Sequence, residues 1–138
     1  MRAQAAVLAA FVLLGCTSVS GPSAPSACRA GEAMIETQLF LGLSKPGGGQ
    51  VSAAQFDAFV KAEVVPRFPE GFSVLDGKGF WLDGGTKRTI SERSKVIVRL
   101  HPPDEAADAA IDAIAGAYKT RFAQEAVLRV DKAVCARF

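Results

Sequence analysis

The chain has 138 residues, of which 22% are charged and 49% are hydrophobic, and its formal net charge is +2. This length allows one domain with a substantial core and is too short for two. The nearly balanced charge gives no electrostatic reason to expect a nucleic-acid partner, because such proteins usually present a basic face.

The first fifteen residues have the features of an export signal. Arg2 is their only charged residue, and an apolar run over residues 5–14 follows it. A permanent transmembrane helix needs about 20 apolar residues, so a run of this length is typical of a cleaved secretory signal. The residues LLGC at positions 13–16 resemble the bacterial lipoprotein signal, in which the cysteine is lipidated. The alternative is an ordinary signal peptide that has Cys16 near its end by chance.

The lipoprotein resemblance implies cleavage after Gly15 and an anchor of acyl chains on Cys16 in the cell envelope. One acyl chain holds a protein only weakly, whereas two hold it firmly. Thr17 stands where inner-membrane lipoproteins often have aspartate, so in a Gram-negative host the resemblance favours the outer membrane, facing the periplasm. Residues 16–30 are expected to form a flexible tether and residues 31–138 a single domain.

Cys28 and Cys135 lie near the two ends of the expected domain. Because an exported protein folds in an oxidising compartment, we favour a disulfide between them. The alternatives are two buried free thiols, or a metal or catalytic role. Two cysteines without a neighbouring histidine do not make a zinc site, so no metal is expected here.

The first predicted strand covers residues 35–43, because apolar side chains alternate there with polar or smaller ones. The glycine-rich loop at residues 46–49 ends it. Such a loop before a helix can bind phosphate through its backbone N–H groups. Its spacing matches neither a P-loop nor a dinucleotide-binding motif, so we interpret it as a plain connection.

A helix is predicted to follow, from Ser52 to about Val65. Ser52 and Gln55 have the spacing of a capping box, in which each side chain bonds to the backbone of the other residue. The helix is expected to stop before Pro66, because the residue that precedes a proline disfavours helical geometry.

Two strands joined by a hairpin are predicted next. The first covers residues 72–82, and the Asp83-Gly84 pair after it is a strong turn signal. In the second, Val96, Val98 and Leu100 are expected to face the core. The other side of that strand would then carry Lys95, Ile97, Arg99 and His101.

The last predicted elements are a long helix and a final strand. Asp104 is placed to cap a helix that reaches about Phe122, and a strand over residues 126–130 and an extended piece over residues 134–138 follow it. The order β-α-β-β-α-β is typical of an α+β ferredoxin-like sandwich. We therefore expect a four-stranded antiparallel sheet with both helices on one face and the first and third strands in its centre.

The sheet face without helices is the first candidate for a ligand or partner surface. It can be a dimer interface, the floor of a pocket or a solvated surface, since apolar and charged side chains are mixed on it. The residues expected there are Glu36, Gln38, Phe40, Trp81, Lys95, Arg99 and His101.

A second candidate is a polar cluster of Arg67, Arg93, Arg121 and Glu125, placed at strand and helix ends. Arginines gathered there could bind a carboxylate or phosphate in a bidentate manner. Alternatively, they bond to loop carbonyls and acidic neighbours. His101, the one histidine, is the first candidate for a general base, although we favour a surface position at a strand end as its explanation.

Six motifs along the domain carry a family resemblance: TQLFLGLSKP at residues 37–46, FDAF at 56–59, VPRFP at 65–69, VLDG at 74–77, ERSK at 92–95 and YKTRFAQE at 118–125. With them, the chain from Glu36 onward resembles a bacterial family of short lipoproteins that share a domain of unknown function. The resemblance implies no activity, substrate or catalytic residue.

Three classes of function remain. The leading hypothesis is a lipid-anchored envelope protein whose binding or assembly domain uses the open sheet face for a homodimer or for another envelope protein. The alternative is a small cofactor-free enzyme with a pocket on the sheet face, an inference from fold analogy alone. The third is a structural envelope protein without a ligand.

Overall fold

The computed structural model describes residues 28–138. The predicted signal peptide, Cys16 and most of the predicted tether lie outside these residues. The elements are β1 (Glu32–Gly42), α1 (Ala53–Phe59, continued by a π-helical turn, Val60–Val64), β2 (Ser73–Leu82), β3 (Thr89–His101), α2 (Glu105–Phe122) and β4 (Leu128–Ala136).

The four strands form one antiparallel sheet in the order β2-β3-β1-β4. The central strands are β1 and β3, and the side chains of the core cluster lie between one sheet face and the helices. This is the predicted α+β class with a ferredoxin-like arrangement, and the fold prediction is confirmed. Among the described helices, none is both long enough and apolar enough to cross a membrane.

The capping box starts α1 as predicted. The Ser52 side chain accepts a hydrogen bond from the backbone N–H of Gln55, and the Gln55 side chain accepts one from the N–H of Ser52. At the other end, the N–H of Val65 donates to the carbonyl of Val60, which is the wider bonding pattern of a π-helical turn. Pro66 follows and lacks the N–H that would continue the helix.

An aromatic cluster joins both helices to the sheet. The Phe59 ring is fully buried, with its centroid 5.1 Å from that of Tyr118 and 5.9 Å from that of Phe122. The Tyr118 hydroxyl donates a hydrogen bond of 2.8 Å to the carbonyl of Gly42 at the end of β1. The cluster therefore fixes α2 to α1 by packing and to the central strand by a polar contact.

The two cysteines of the domain form a disulfide. The Cys28 and Cys135 sulfurs are 2.11 Å apart and the Cα atoms 5.6 Å apart. Cys28 precedes β1, and Cys135 lies in β4 opposite Ala33. The bond therefore joins two strands that also pair with each other through their backbones.

The final strand is longer than the sequence pattern predicts. Residues from Leu128 to Ala136 form a single strand, which pairs with β1 from Phe40 to Glu32. The sequence alternates only weakly here because this is an edge strand. All its side chains are exposed or half-buried, so neither face requires apolar residues. Pairing along the whole of β1 makes it continuous.

The orientation predicted for β3 is wrong. In the β1–β3 register, Leu39 lies opposite Ile97 and Thr37 lies opposite Arg99. Side chains directly opposite each other in a sheet point to the same face, so alternate residues of β3 from Lys95 to His101 lie on the helix-covered side. Val96, Val98 and Leu100 lie on the open side instead. Both faces of this strand carry apolar residues, and alternation alone does not distinguish them.

Candidate functional site

A cleft of about 990 Å³ lies at the edge of the sheet where β2 begins. The first residue of β2, Ser73, pairs with Val98, so among the described residues no strand lies outside the last three residues of β3. The segment of residues 66–72 and the first two turns of α2 form the other walls. The cleft lining includes Met34, Glu36, Arg67, Phe68, Glu70, Phe72, Leu100, Asp104, Ala107 and Arg99.

The central group of this cleft is the guanidinium of Arg99. Its side chain is 10% exposed, and its Cζ atom lies 4.2 Å from the centroid of the Phe68 ring. The Nη2 group donates a hydrogen bond of 2.9 Å to the Glu70 carboxylate. Its Nε and Nη1 groups are buried and have no hydrogen-bond partner among residues 28–138. Buried donors without partners are rare in folded proteins and are costly, which marks this side chain as a functional candidate.

Glu70 is the only carboxylate that pairs with Arg99 in the part of the chain that the structure describes. The Glu70 side chain is 75% exposed, so it lies at the mouth of the cleft. The hydrogen bond from Arg99 holds the pKa of the Glu70 carboxyl below its ordinary value. Glu70 is therefore charged at neutral pH and is a poor proton acceptor.

The other charged groups make the cleft negative overall. Arg67 is neutralised by the Glu63 carboxylate, 2.8 Å from its Nη1 group. Glu36 accepts a hydrogen bond from the Gln38 amide, and the Asp104 carboxylate caps α2 by accepting one from the N–H of Ala107. The lining thus holds three carboxylates, with Glu36 on the open side of the sheet, and one guanidinium, that of Arg99, that has no carboxylate partner from outside the lining.

His101 does not lie on the open face and is not available as a general base. It is 2% exposed, its Nδ1 atom lies 2.7 Å from the Pro102 carbonyl, and its Nε2 atom lies 2.9 Å from the Thr37 hydroxyl. The Thr37 hydroxyl also donates to the Asp131 carboxylate. Both ring nitrogens of His101 are therefore occupied by groups that hold the ring inside the protein.

The predicted open-face surface is divided between the two faces of the sheet. Lys95, Arg99 and His101 lie on the helix-covered side, where Lys95 pairs with Asp76 at 2.7 Å. The open face holds the remaining four predicted residues, Glu36, Gln38, Phe40 and Trp81. The sequence grouped all seven only because it assigned the wrong side to β3.

The open face is more apolar than the sequence analysis expected. Trp81 is 44% exposed, and it shares this face with several other exposed apolar side chains. A patch of this kind is typical of a surface that contacts another molecule. The expected homodimer or envelope partner stays a prediction. The apolar neighbours on this face are Leu75, Ile90, Leu100, Leu128 and Val130.

The predicted polar cluster is not assembled within residues 28–138. Arg67 bonds to Glu63 in the π-helical turn that precedes it, Arg93 lines a smaller groove beside Lys95, and the Arg121 guanidinium lies over the Phe122 ring. Glu125 forms no hydrogen bond or ion pair with any of these three arginines. Of this set, only Arg67 lines the cleft.

Sequence reasoning missed a different polar group, centred on Arg129. This guanidinium bonds to Asp108 and Asp112 on α2 and to Asp131 on its own strand. Burial alone would lower the pKa of Arg129, but the hydrogen bonds to these carboxylates hold that pKa above its ordinary value. All three carboxylates lie on the helix-covered side of the sheet, and their ion pairs with Arg129 hold α2 against β4. Among residues 28–138, no group of three His, Cys, Asp or Glu side chains could hold a metal ion.

Comparison with known proteins places the chain in a family. Residues 36–138 match the family model described as "Protein of unknown function (DUF3574)". The chain belongs to this family. No curated protein matches the sequence.

Two solved structures of a phage SAM lyase share the fold. The lyase in complex with S-methyl-5'-thioadenosine is 13% identical, with a TM-score of 0.54, and the match covers 82% of this chain and 97% of the lyase. The apo lyase is 17% identical, with a TM-score of 0.55, and the match covers 83% and 98% of the two chains. At these identities the DUF3574 chain shares the fold, and the likeness extends over nearly the whole lyase.

The comparison corrects the leading hypothesis of a binding or assembly domain. Both solved structures are those of an enzyme, which contradicts that hypothesis and agrees better with the alternative of a small enzyme. The expected pocket also changes position. The cleft opens at the sheet edge around Arg99, whereas the prediction placed it on the open sheet face.

Proposed function

We propose that this DUF3574 protein is a small enzyme of the lyase type that binds its substrate in the Arg99 cleft. The observation that carries the proposal is the buried guanidinium of Arg99, which lines the cleft and has two donors without a partner among residues 28–138. A volume of about 990 Å³ is at the upper end of the range for small-molecule sites. The lyase fold of the solved relatives supports an enzyme over a passive binding module.

The solved lyase suggests which substrate to test first. S-methyl-5'-thioadenosine is what remains of S-adenosylmethionine after the bond between the sulfonium sulfur and the amino-acid chain breaks, with both electrons going to sulfur. The carboxylate oxygen of the same amino-acid chain takes the place of sulfur on that carbon, so the second product is a lactone. This step needs no proton at sulfur, so an enzyme can promote it by positioning and by charge stabilisation alone. A charged Glu70 and a buried Arg99 fit that requirement better than they fit proton transfer.

The test is to incubate the purified full-length chain with S-adenosylmethionine and to measure release of S-methyl-5'-thioadenosine by chromatography. We expect release above the rate without protein, and a loss of at least about tenfold in an Arg99→Gln variant, since a lost bond to a charged group has an effect of this order. Arg121→Gln is the matched control, because Arg121 does not line the cleft. Background release together with no binding of either compound would contradict the proposed activity.

We also propose that the enzyme is held in the cell envelope by acyl chains on Cys16. The LLGC residues at positions 13–16 support this, and a disulfide between Cys28 and Cys135 agrees with folding in an oxidising compartment. In a Gram-negative host, Thr17 favours the outer membrane. A Cys16→Ser variant is expected to leave the membrane fraction. Unchanged membrane association of that variant would rule out an anchor on this sulfur.

A further inference from the structure

We propose that the cleft recognises the free α-amino-acid end of its ligand, with the ligand carboxylate on Arg99 and the ligand ammonium among the lining carboxylates. In this arrangement the Glu70 carboxylate is a placeholder that the ligand carboxylate replaces. The inference rests on the proposed function and deepens it by naming the part of the substrate that the site binds.

The geometry of the Arg99 guanidinium supports a carboxylate ligand. A planar anion can bind arginine in two bidentate ways, through Nε and Nη2 or through Nη1 and Nη2. Both ways include Nη2, which is the group that Glu70 contacts at 2.9 Å. Glu70 bonds to Nη2 only, and the Nε and Nη1 groups have no partner among residues 28–138. A carboxylate lying in the guanidinium plane would satisfy Nη2 and one of them together.

Arg99 and Glu70 differ in how exposed they are. Arg99 is held in place by burial and by the Phe68 ring beneath it, whereas Glu70 is 75% exposed and lies on the segment after α1. An ion pair with one exposed partner is modest in free energy, so a ligand carboxylate can displace Glu70 at a cost of up to about fivefold in affinity, which Glu70→Gln would remove. Arg99 is therefore a fixed cation and Glu70 a displaceable anion, so a ligand carboxylate can take the place of Glu70.

The charge of the cleft favours a zwitterion. Glu70 and Asp104 line it near the helices and Glu36 lines it on the open side of the sheet, against Arg99 and an Arg67 that is already paired with Glu63. A phosphate dianion would meet these carboxylates and be repelled. A single carboxylate with an adjacent ammonium places its negative charge on Arg99 and its positive charge near the acids, so the signs match at both ends.

The apolar part of the lining also suits such a ligand. Phe68 and Phe72 line the cleft on the Arg99 side of the sheet, and Met34 and Leu100 line it on the open side. Binding sites for small molecules combine walls of this kind with a few charged groups that orient the ligand. An amino acid with an apolar or thioether side chain fits this pattern. L-methionine is therefore a suitable probe, and it also contains the amino-acid end of S-adenosylmethionine.

The experiment measures binding of four probes to the purified full-length chain by calorimetry. The probes are L-methionine, 4-(methylthio)butanoate, which lacks the amine, 3-(methylthio)propylamine, which lacks the carboxylate, and inorganic phosphate. We expect L-methionine to bind most tightly, the butanoate more weakly, and the amine and phosphate not at all. Tighter binding of phosphate than of L-methionine would overturn the inference.

Two variants test the assigned roles. Arg99→Gln is expected to weaken L-methionine binding by at least about tenfold, because it removes a charge-assisted pair. Glu70→Gln, at an exposed position that should not disturb folding, is expected to strengthen binding of the butanoate, since the competing carboxylate is gone. Glu125→Gln removes the same charge outside the cleft lining and is expected to change nothing. Unchanged binding of the butanoate in Glu70→Gln would refute the placeholder role even if Arg99→Gln fails to fold.

The two proposals fail separately. Tight L-methionine binding without cleavage of S-adenosylmethionine would uphold the inference and contradict the proposed activity on that substrate. Cleavage that persists in Arg99→Gln, with no binding of L-methionine, would uphold the activity and contradict the inference.

Discussion

Removing the disulfide is expected to lower the free energy of unfolding by about 4 to 5 kcal/mol. Cys28 and Cys135 are 107 residues apart, so the bond restricts nearly the whole described chain in the unfolded state. In the folded state it adds little, because β1 and β4 are already paired where it lies. Equilibrium unfolding in urea of the double variant Cys28→Ala and Cys135→Ala measures the difference.

A control for this measurement is available in the third cysteine. Cys16→Ala changes the same kind of side chain and leaves the Cys28–Cys135 pair intact, so it should retain the stability of the parent chain. Adding a reductant to the parent should reproduce the loss seen in the double variant. A loss below about 1 kcal/mol in the double variant would mean that the chain does not depend on this bond.

Alkaline pH is expected to destabilise the fold through Tyr118. Burial, helped by the negative charge of Glu92, raises the pKa of the Tyr118 hydroxyl from 10.0 to about 12. The unfolded chain then loses this proton near pH 10 while the folded chain keeps it. The raised pKa of Tyr118 contributes its full stabilisation of the fold below pH 10, and this stabilisation is lost as the pH rises from 10 to about 12. The expected loss is about 2 to 3 kcal/mol over that window.

The composition makes this prediction simple to measure. Tyr118 is the one tyrosine of the chain, so the absorbance of tyrosinate reports on it alone. The absorbance midpoint should lie near pH 12 in the folded protein and near pH 10 in denaturant. Tyr118→Phe should lose about 1 kcal/mol at neutral pH, with its bond to the Gly42 carbonyl, and should be less sensitive to pH above 10. A common midpoint near pH 10 in both states would contradict the buried environment.

Local chemistry was sufficient to predict the elements. The Ser52 and Gln55 cap, the Asp104 cap and the turn at Asp83 depend on bonds between residues close in sequence, and they are present as predicted. The alternation in β1 is equally clear, since its inward side chains are buried and its others are not. Element order then led to the correct fold class, because few topologies accommodate it.

The orientation of β3 could not be predicted in the same way. Val96, Ile97 and Val98 are consecutive and apolar, so neither alternating set is clearly the inward one. The register against β1 decides, and it places Ile97 inward opposite Leu39. The inward set also carries Lys95 and Arg99, which the sequence assigned to the outside because they are charged. Lys95 pairs with Asp76 and Arg99 stacks on Phe68, so each inward charge is half-buried or largely buried beside a partner from another element.

The sequence by itself determined the elements, their order, the export and lipidation signals that remain predictions, and the pair of cysteines available for a bond. These features rest on contacts within a few residues or on composition. Only the tertiary structure decided where the candidate site lies and which residues form it. The cleft exists because β2 begins opposite Val98 and leaves the end of β3 uncovered, and because Phe68 and Glu70 reach Arg99 from about thirty positions earlier in the chain. Strand register and the path of a loop are set by packing between distant segments, and no local pattern encodes them.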